Sequence, residues 1–237
     1  MEKPLSEQTA LITGGATGIG RALTEALVHG GIGNVVIASR RQRHLEHTAN
    51  ELNAKYDKHV HTYIFDIRNQ YQAEDLVKET IEEFGAIDIL INNSGLAVPE
   101  TVTEITNEGW DKVMETNLRG AMWLTQLALP KMIEQDFGDI VNISSQAGKN
   151  GYADVPSYCA SKFGLLGFAE SVRDDMRKRV ANIRVFNFCP GLVDVDSPLD
   201  HTPKPGFIHV NNMAKTLMYA LSLDRNVNLE DINIYAR

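Results

Sequence analysis

The sequence predicts an α/β fold, a doubly wound parallel sheet of about seven strands flanked by helices, and three observations carry that prediction. Short β-branched runs alternate with longer amphipathic segments along the 237 residues, the pattern of βαβ units joined by right-handed crossovers. Runs such as Val35-Val36-Ile37 and Ile89-Leu90-Ile91 are apolar at successive positions, as in strands buried on both faces of a helix-covered sheet. The first run leads straight into Thr13-Gly14-Gly15-Ala16-Thr17-Gly18-Ile19-Gly20, a glycine turn between strand and helix that makes the unit Rossmann-like.

Taken in order, strands are expected at 9–13, 34–39, 60–66, 87–92, 139–144, 182–188 and 231–235. Between them, helices are expected near 19–29, 42–55, 70–84, 109–135, 158–180 and 211–223. In the helix from 158, Leu165, Phe168, Ala169, Val172 and Met176 recur at helical spacing and define a core-facing stripe. Residues 194–208, after the sixth strand, are rich in Pro and Asp and lack periodicity. A loop over the substrate side of a site is expected there.

At this length, residues 1–237 can form one domain around one core. Apolar content of 43% and charged content of 23% are ordinary for a soluble globular chain. A formal net charge of -8 argues against a nucleic-acid partner, which would call for a basic face. The apolar runs are too short to span a membrane, and Met1-Glu2-Lys3-Pro4 shows no secretory pattern. The two cysteines, Cys159 and Cys189, suit a reduced, cytoplasmic setting without a structural disulfide. Histidines and cysteines lack metal-ligand spacing, so no metal site is expected.

The glycine turn is a dinucleotide cradle. Gly14, Gly18 and Gly20 allow a tight turn, and the backbone through Thr17 and Ile19 brings N–H groups to a pyrophosphate at the helix N-terminus. At the end of the second strand, an acidic residue would bond a ribose 2′-hydroxyl and repel a 2′-phosphate. Ser39-Arg40-Arg41 stands there instead. Guanidinium forks and a hydroxyl suit a phosphate, which points to NADP(H). Asp66, closing the third strand, is expected near the adenine amino group, beside Ile67.

Tyr158 and Lys162 lie four residues apart at the start of a helix, hence on one face. A phenol with pKa near ~10 is a reluctant proton carrier at neutral pH, and a neighbouring cation is expected to lower that value. Lys162 would thereby make Tyr158 a general acid/base.

These features resemble the short-chain dehydrogenase/reductase family over almost the whole chain. The resemblance rests on Thr13-Gly14 with Gly18 and Gly20, Asn92-Asn93-Ser94-Gly95, Thr116-Asn117-Leu118, Val141-Asn142-Ile143-Ser144-Ser145, the Tyr158/Lys162 pair and Pro190-Gly191. It implies a tetrad of Asn117, Ser145, Tyr158 and Lys162, with Ser145 preferred over Ser144 because it lies thirteen residues before the tyrosine. Ser145 would steady charge on the substrate oxygen, and Lys162 would also hold the nicotinamide ribose. Asn117 would order a water leading from Lys162 to solvent. Asn93, Ser94, Gly95, Pro190, Gly191 and Val193 are implied cofactor contacts. Val195 stands where the family often has a threonine for the carboxamide.

The implied reaction is NADP(H)-dependent interconversion of a carbonyl and a secondary alcohol, in a homotetramer or homodimer. Gln146 and Tyr152 are expected to touch substrate beside Ser145 and Tyr158, with Leu96, Ala97 and the 194–208 segment around them. The absence of an Arg or Lys clamp favours neutral substrates over acids. A serine hydrolase would need a nucleophile elbow that Ile143-Ser144-Ser145-Gln146-Ala147 lacks. The alternative is a non-catalytic NADP-binding sensor or scaffold of the same fold.

Overall fold

The computed structural model describes residues 3–195 and 202–237. Seven parallel strands form the main sheet: β1 (Thr9–Thr13), β2 (Asn34–Ser39), β3 (Val60–Ile64), β4 (Ile89–Asn92), β5 (Gly138–Ile143), β6 (Ile183–Pro190) and, last in sequence, β9 (Asp231–Ile234). Their order is β3-β2-β1-β4-β5-β6-β9. The order reverses between β1 and β4, so the chain winds outward in both directions from a central crevice, where such sheets bind ligands. A second, two-stranded parallel pair joins β7 (Val193–Asp194) to β8 (Ile208–His209). Two-residue strands carry no readable period, and the sequence gives no sign of this pair.

Both faces of the sheet are covered, which explains the unbroken apolar runs. Ala10, Ile12, Val35, Ile37, Ile89 and Ile91 face one core, with Leu23, Leu27, Leu45, Met213 and Leu217. Leu11, Val36, Ala38, Leu90 and Ile140 face the other, with Leu76, Leu124, Met132, Ala169 and Met176. The first core lies under α1 (Gly18–His29), α2 (Gln42–Tyr56) and α7 (Val210–Ser222). The second lies under α3 (Gln70–Phe84), α5 (Gly120–Glu134) and α6 (Pro156–Arg179).

Local chemistry sets several boundaries. Asn69 caps α3 by accepting from Gln72 N, and Gly85 ends it at φ +79°, a left-handed turn that costs glycine little. Pro156 opens α6 in its first turn, where a missing N–H costs nothing. The long helix expected at 109–135 starts earlier, as α4 (Asn107–Met114), capped by Thr106 Oγ1 accepting from Gly109 N. It then widens into a π-helical stretch, Glu115–Arg119, before continuing as α5. The strand expected at 60–66 stops at Ile64, and that expected at 182–188 runs on to Pro190.

A polar row crosses the carboxyl-end half of the sheet. Asn92 Nδ2 donates to Asn142 Oδ1 (3.0 Å), Asn142 Nδ2 to Asn187 Oδ1 (3.0 Å), and Asn187 Nδ2 to Asp231 Oδ1 (2.9 Å). These four residues are direct register partners on β4, β5, β6 and β9.

Candidate active site

The glycine turn is held from beneath. Thr13 Oγ1 accepts from the backbone N–H of Asn93 and of Ser94, both at 3.0 Å. Asn93 Nδ2 donates to the carbonyls of Thr13 (2.9 Å) and Gly14 (3.3 Å). Asn93 therefore braces the turn with its side chain while lining the cleft above it. Gly14 sits at φ +65°, and a Cβ on Gly20 would stand 2.2 Å from the Gly14 carbonyl oxygen. The turn closes only because Gly20 has no side chain.

Gly14, Thr17, Gly18, Ile19, Ser39, Arg40, Arg41, Ile67, Asn93, Ser94 and Gly95 line one cleft of about 320 Å³, with Phe65, Leu96, Thr116 and Val195. These residues suit a phosphorylated dinucleotide: backbone N–H groups at the α1 N-terminus, glycines that leave room, and two guanidiniums at one end. Arg41 Nη2 reaches Thr17 Oγ1 at 3.4 Å, and Arg41 N donates to Ser39 Oγ at 3.4 Å. Asp66, expected near adenine, is engaged by protein groups. Its carboxylate accepts from Arg68 Nε (3.1 Å) and Nη2 (2.7 Å) and lies 4.0 Å from Arg40 Nη1. The Arg68 hydrogen bonds hold its carboxyl below the usual range, against a smaller opposing effect of burial. Phe65 and Ile67, on either side of it, face the cleft instead.

A second cleft of about 700 Å³ adjoins the first and shares Ile19, Asn93, Gly95, Leu96 and Val195 with it. Ser145, Gln146, Tyr152, Tyr158, Lys162, Pro190, Gly191 and Val193 all line it, as do Ala97, Val155 and Leu192. Three of the four expected tetrad members thus share one wall. Asn117, the fourth, is buried behind them in the π-helical stretch. Its amide accepts from Leu96 N (2.8 Å) and donates to Leu96 O (2.8 Å) and Ser161 Oγ (3.0 Å). Its oxygen and Lys162 Nζ both face Gly95, where a Cβ would lie 3.4 and 3.5 Å from them.

Lys162, 3% exposed, donates from Nζ to the Ile143 carbonyl at 2.7 Å and sits 5.6 Å from the centroid of the Tyr158 ring. Burial lowers its pKa to about 8. Burial also raises the Tyr158 pKa, and the neighbouring Ser145 hydroxyl partly offsets that. The expected lowering of Tyr158 by Lys162 is therefore not the balance struck in the protein alone. The ammonium is turned to the backbone of β5 rather than to the phenol, and desolvation dominates both groups. Ser144 Oγ, by contrast, is buried without a hydrogen-bond partner among the described residues.

Sequence reasoning missed the surroundings of Gln146. Its side chain is tied to the Cys189 carbonyl and to Asn233 and Tyr235 of the last strand region, contacts that no local pattern announces. Thr13 was readable only as part of a motif. Within the expected 194–208 segment, Asp194 is buried and accepts from Lys204 N at 2.9 Å; residues 196–201, with His201, lie outside the described residues. Val195 packs against the glycine turn, 3.4 Å from where a Gly18 Cβ would stand. Among the described residues, no group of three His, Cys, Asp or Glu side chains is placed to hold a metal ion, and no helix is long and apolar enough to cross a membrane.

Comparison with known proteins finds relatives in both sequence and fold. The sequence pattern described as short chain dehydrogenase matches residues 8–204. An uncharacterised oxidoreductase of Staphylococcus aureus (strain USA300) is 29% identical over 231 residues, covering 97% of each chain. Serine dehydrogenase from Escherichia coli superposes with a TM-score of 0.84 at 27% identity, over 97% of this chain and 98% of that one. A variant of actinorhodin polyketide ketoreductase, solved with NADPH, gives a TM-score of 0.88 at 26% identity, over 99% and 98%.

Proposed function

The chain belongs to the short chain dehydrogenase family, and from that membership we propose that it is an NADP(H)-dependent oxidoreductase interconverting a carbonyl and a secondary alcohol. The observation that carries this reading is that Ser145, Tyr158 and Lys162 share the wall of a cleft that opens into the glycine-turn cleft. The nicotinamide cofactor supplies or removes the hydride. Ser145 holds the substrate oxygen and stabilises the charge that grows on it. Tyr158 gives that oxygen its proton in reduction and takes it back in oxidation. A buried phenol with a raised pKa is protonated at neutral pH, the state a proton donor needs. Lys162 supplies positive charge beside the phenol, and Asn117, through both backbone groups of Leu96, fixes the strand-end segment opposite Lys162.

The cofactor is held by Gly14, Thr17, Gly18, Ile19 and Gly20 at the pyrophosphate. Ser39, Arg40 and Arg41 hold the 2′-phosphate, and Ile67, Asn93, Ser94, Gly95, Pro190, Gly191 and Val193 lie along its length. Asp66, paired with Arg68 and 4.0 Å from Arg40, closes the adenine end of the cofactor site. The substrate is neutral and largely apolar. Among the described residues lining its cleft, Lys162 is the only charged side chain, and it is engaged by Ile143. An amino acid such as serine would bring two charges, and the described lining offers no side chain free to match them. The protein works as one domain over 1–237, in the cytoplasm, as a homodimer or homotetramer, without nucleic-acid or membrane partners.

The test is cofactor oxidation with NADPH and NADH over a panel of ketones and aldehydes. Turnover with NADPH is expected, and Tyr158→Phe should lose about 10²- to 10⁴-fold in kcat. Arg41→Ala should raise KM for NADPH by about 10- to 100-fold and leave NADH unchanged. Full activity in Tyr158→Phe would sink the mechanism. NADPH binding without turnover of any substrate would make the chain a sensor or scaffold.

A further inference from the structure

Ser145 stands at the head of a short turn, Gln146–Gly148, and its Oγ accepts from Ala147 N at 3.1 Å. The orientation of that hydroxyl therefore depends on where the turn is held. Gln146, 3% exposed, anchors it: Nε2 donates to the Cys189 carbonyl (2.6 Å) and to Asn233 Oδ1 (3.3 Å), while Oε1 accepts from the Tyr235 hydroxyl. At the other end of the turn, Lys149 Nζ pairs with Asp231 Oδ2 at 2.9 Å. Asp231 is fixed in turn by Asn187 Nδ2 (2.9 Å) and Arg173 Nη2 (3.5 Å).

Asp231, Asn233 and Tyr235 are alternate residues of one extended segment, so all three point to the same side of it. That segment is β9 and the residue after it. β9 lies at the sheet edge, paired through β6 alone. We propose that β9 positions the catalytic serine, with Asn233 and Tyr235 acting through the Gln146 amide at one end of the turn and Asp231 acting through Lys149 at the other. This rests on the reading that Ser145 holds the substrate oxygen.

Both Nε2 hydrogens and one lone pair of Oε1 are used. A buried amide oxygen that loses its donor must find another, and the cleft is where it can turn. Tyr235 is 66% exposed, so its ring adds little packing and its hydroxyl is the part that acts. Removing that hydroxyl separates positioning from stability.

The test compares wild type with Tyr235→Phe and Asn233→Ala in the full chain. Amide hydrogen exchange at Ala147, Gly148, Lys149 and Asn150 is measured alongside NADPH affinity and steady-state kinetics with a carbonyl substrate. Exchange in the turn should quicken by about five-fold or more in each variant, and kcat should fall by about as much. NADPH affinity should stay within about two-fold, because the glycine-turn cleft is untouched. Unchanged exchange would overturn the proposal, as would faster exchange with kcat intact or a parallel loss of NADPH affinity. If wild type turns over nothing, the functional reading fails, and the exchange rates alone decide whether β9 holds the turn.

Discussion

Tyr158 and Lys162 sit one helical turn apart, as their spacing requires, yet each is governed by burial more than by the other. Lys162 is fully enclosed and has a single backbone acceptor, so its pKa falls to about 8. A base whose folded pKa lies below its unfolded value destabilises the fold whenever it must carry its proton. That cost is fully present below about pH 8 and fades as pH rises towards the unfolded value, near 10.5. Urea titrations of wild type and Lys162→Met between pH 7 and about 10 should show wild-type stability rising relative to the variant, by on the order of 3 kcal/mol across the full window. A pH-independent difference would refute the assignment. Tyr158 works the other way, since its raised pKa makes its contribution fall above about pH 10. The spacing told which residues meet; it could not tell that the ammonium would turn to the Ile143 carbonyl.

At the scale of elements, the strand–turn–helix unit was legible because its geometry is written in local residue types. Gly14, with its positive φ, and Gly20, against the Gly14 carbonyl, are both demanded by the turn itself. Gly20→Ala would place a methyl group inside contact distance of fixed backbone, and the turn must open to admit it. NADPH affinity should drop by more than about ten-fold while the circular dichroism spectrum keeps its helix content. Retained affinity would show that the turn has slack. The π-helical stretch carrying Asn117 was not legible. The expected helix runs straight through it, and the widening responds to contacts with Leu96 and Ser161 on other elements. The β7–β8 pair escaped for a related reason: two residues carry no period, and only the return of the chain from Phe207 brings Ile208 beside Val193.

Across the whole molecule, chemistry and stability occupy opposite ends of the sheet. The clefts gather at the carboxyl ends of the strands. Near the amino ends, Asp139 is buried between Arg184 (2.8 and 2.9 Å) and Arg225 (2.6 Å). Burial, with Arg184 nearby, already lowers the Arg225 pKa. Asp139→Asn would leave two enclosed cations facing each other and should cost about 3–5 kcal/mol in urea unfolding. Its kcat at 25 °C should match wild type, because the damage lies at the far end of β5; a cost below about 1 kcal/mol would mean the cluster relaxes into solvent. By itself the sequence determined the layered α/β architecture, the glycine turn, and the shared helix face of Tyr158 and Lys162. Those follow from residue type, two-sided apolar runs and spacing within single elements, all of which act locally. Only the tertiary structure decided that Arg68 occupies Asp66, that Ile143 holds Lys162, and that β9 reaches across to Gln146. Each joins groups that lie apart in sequence or compete for one partner, so packing and desolvation settle the outcome, and neither can be read one segment at a time.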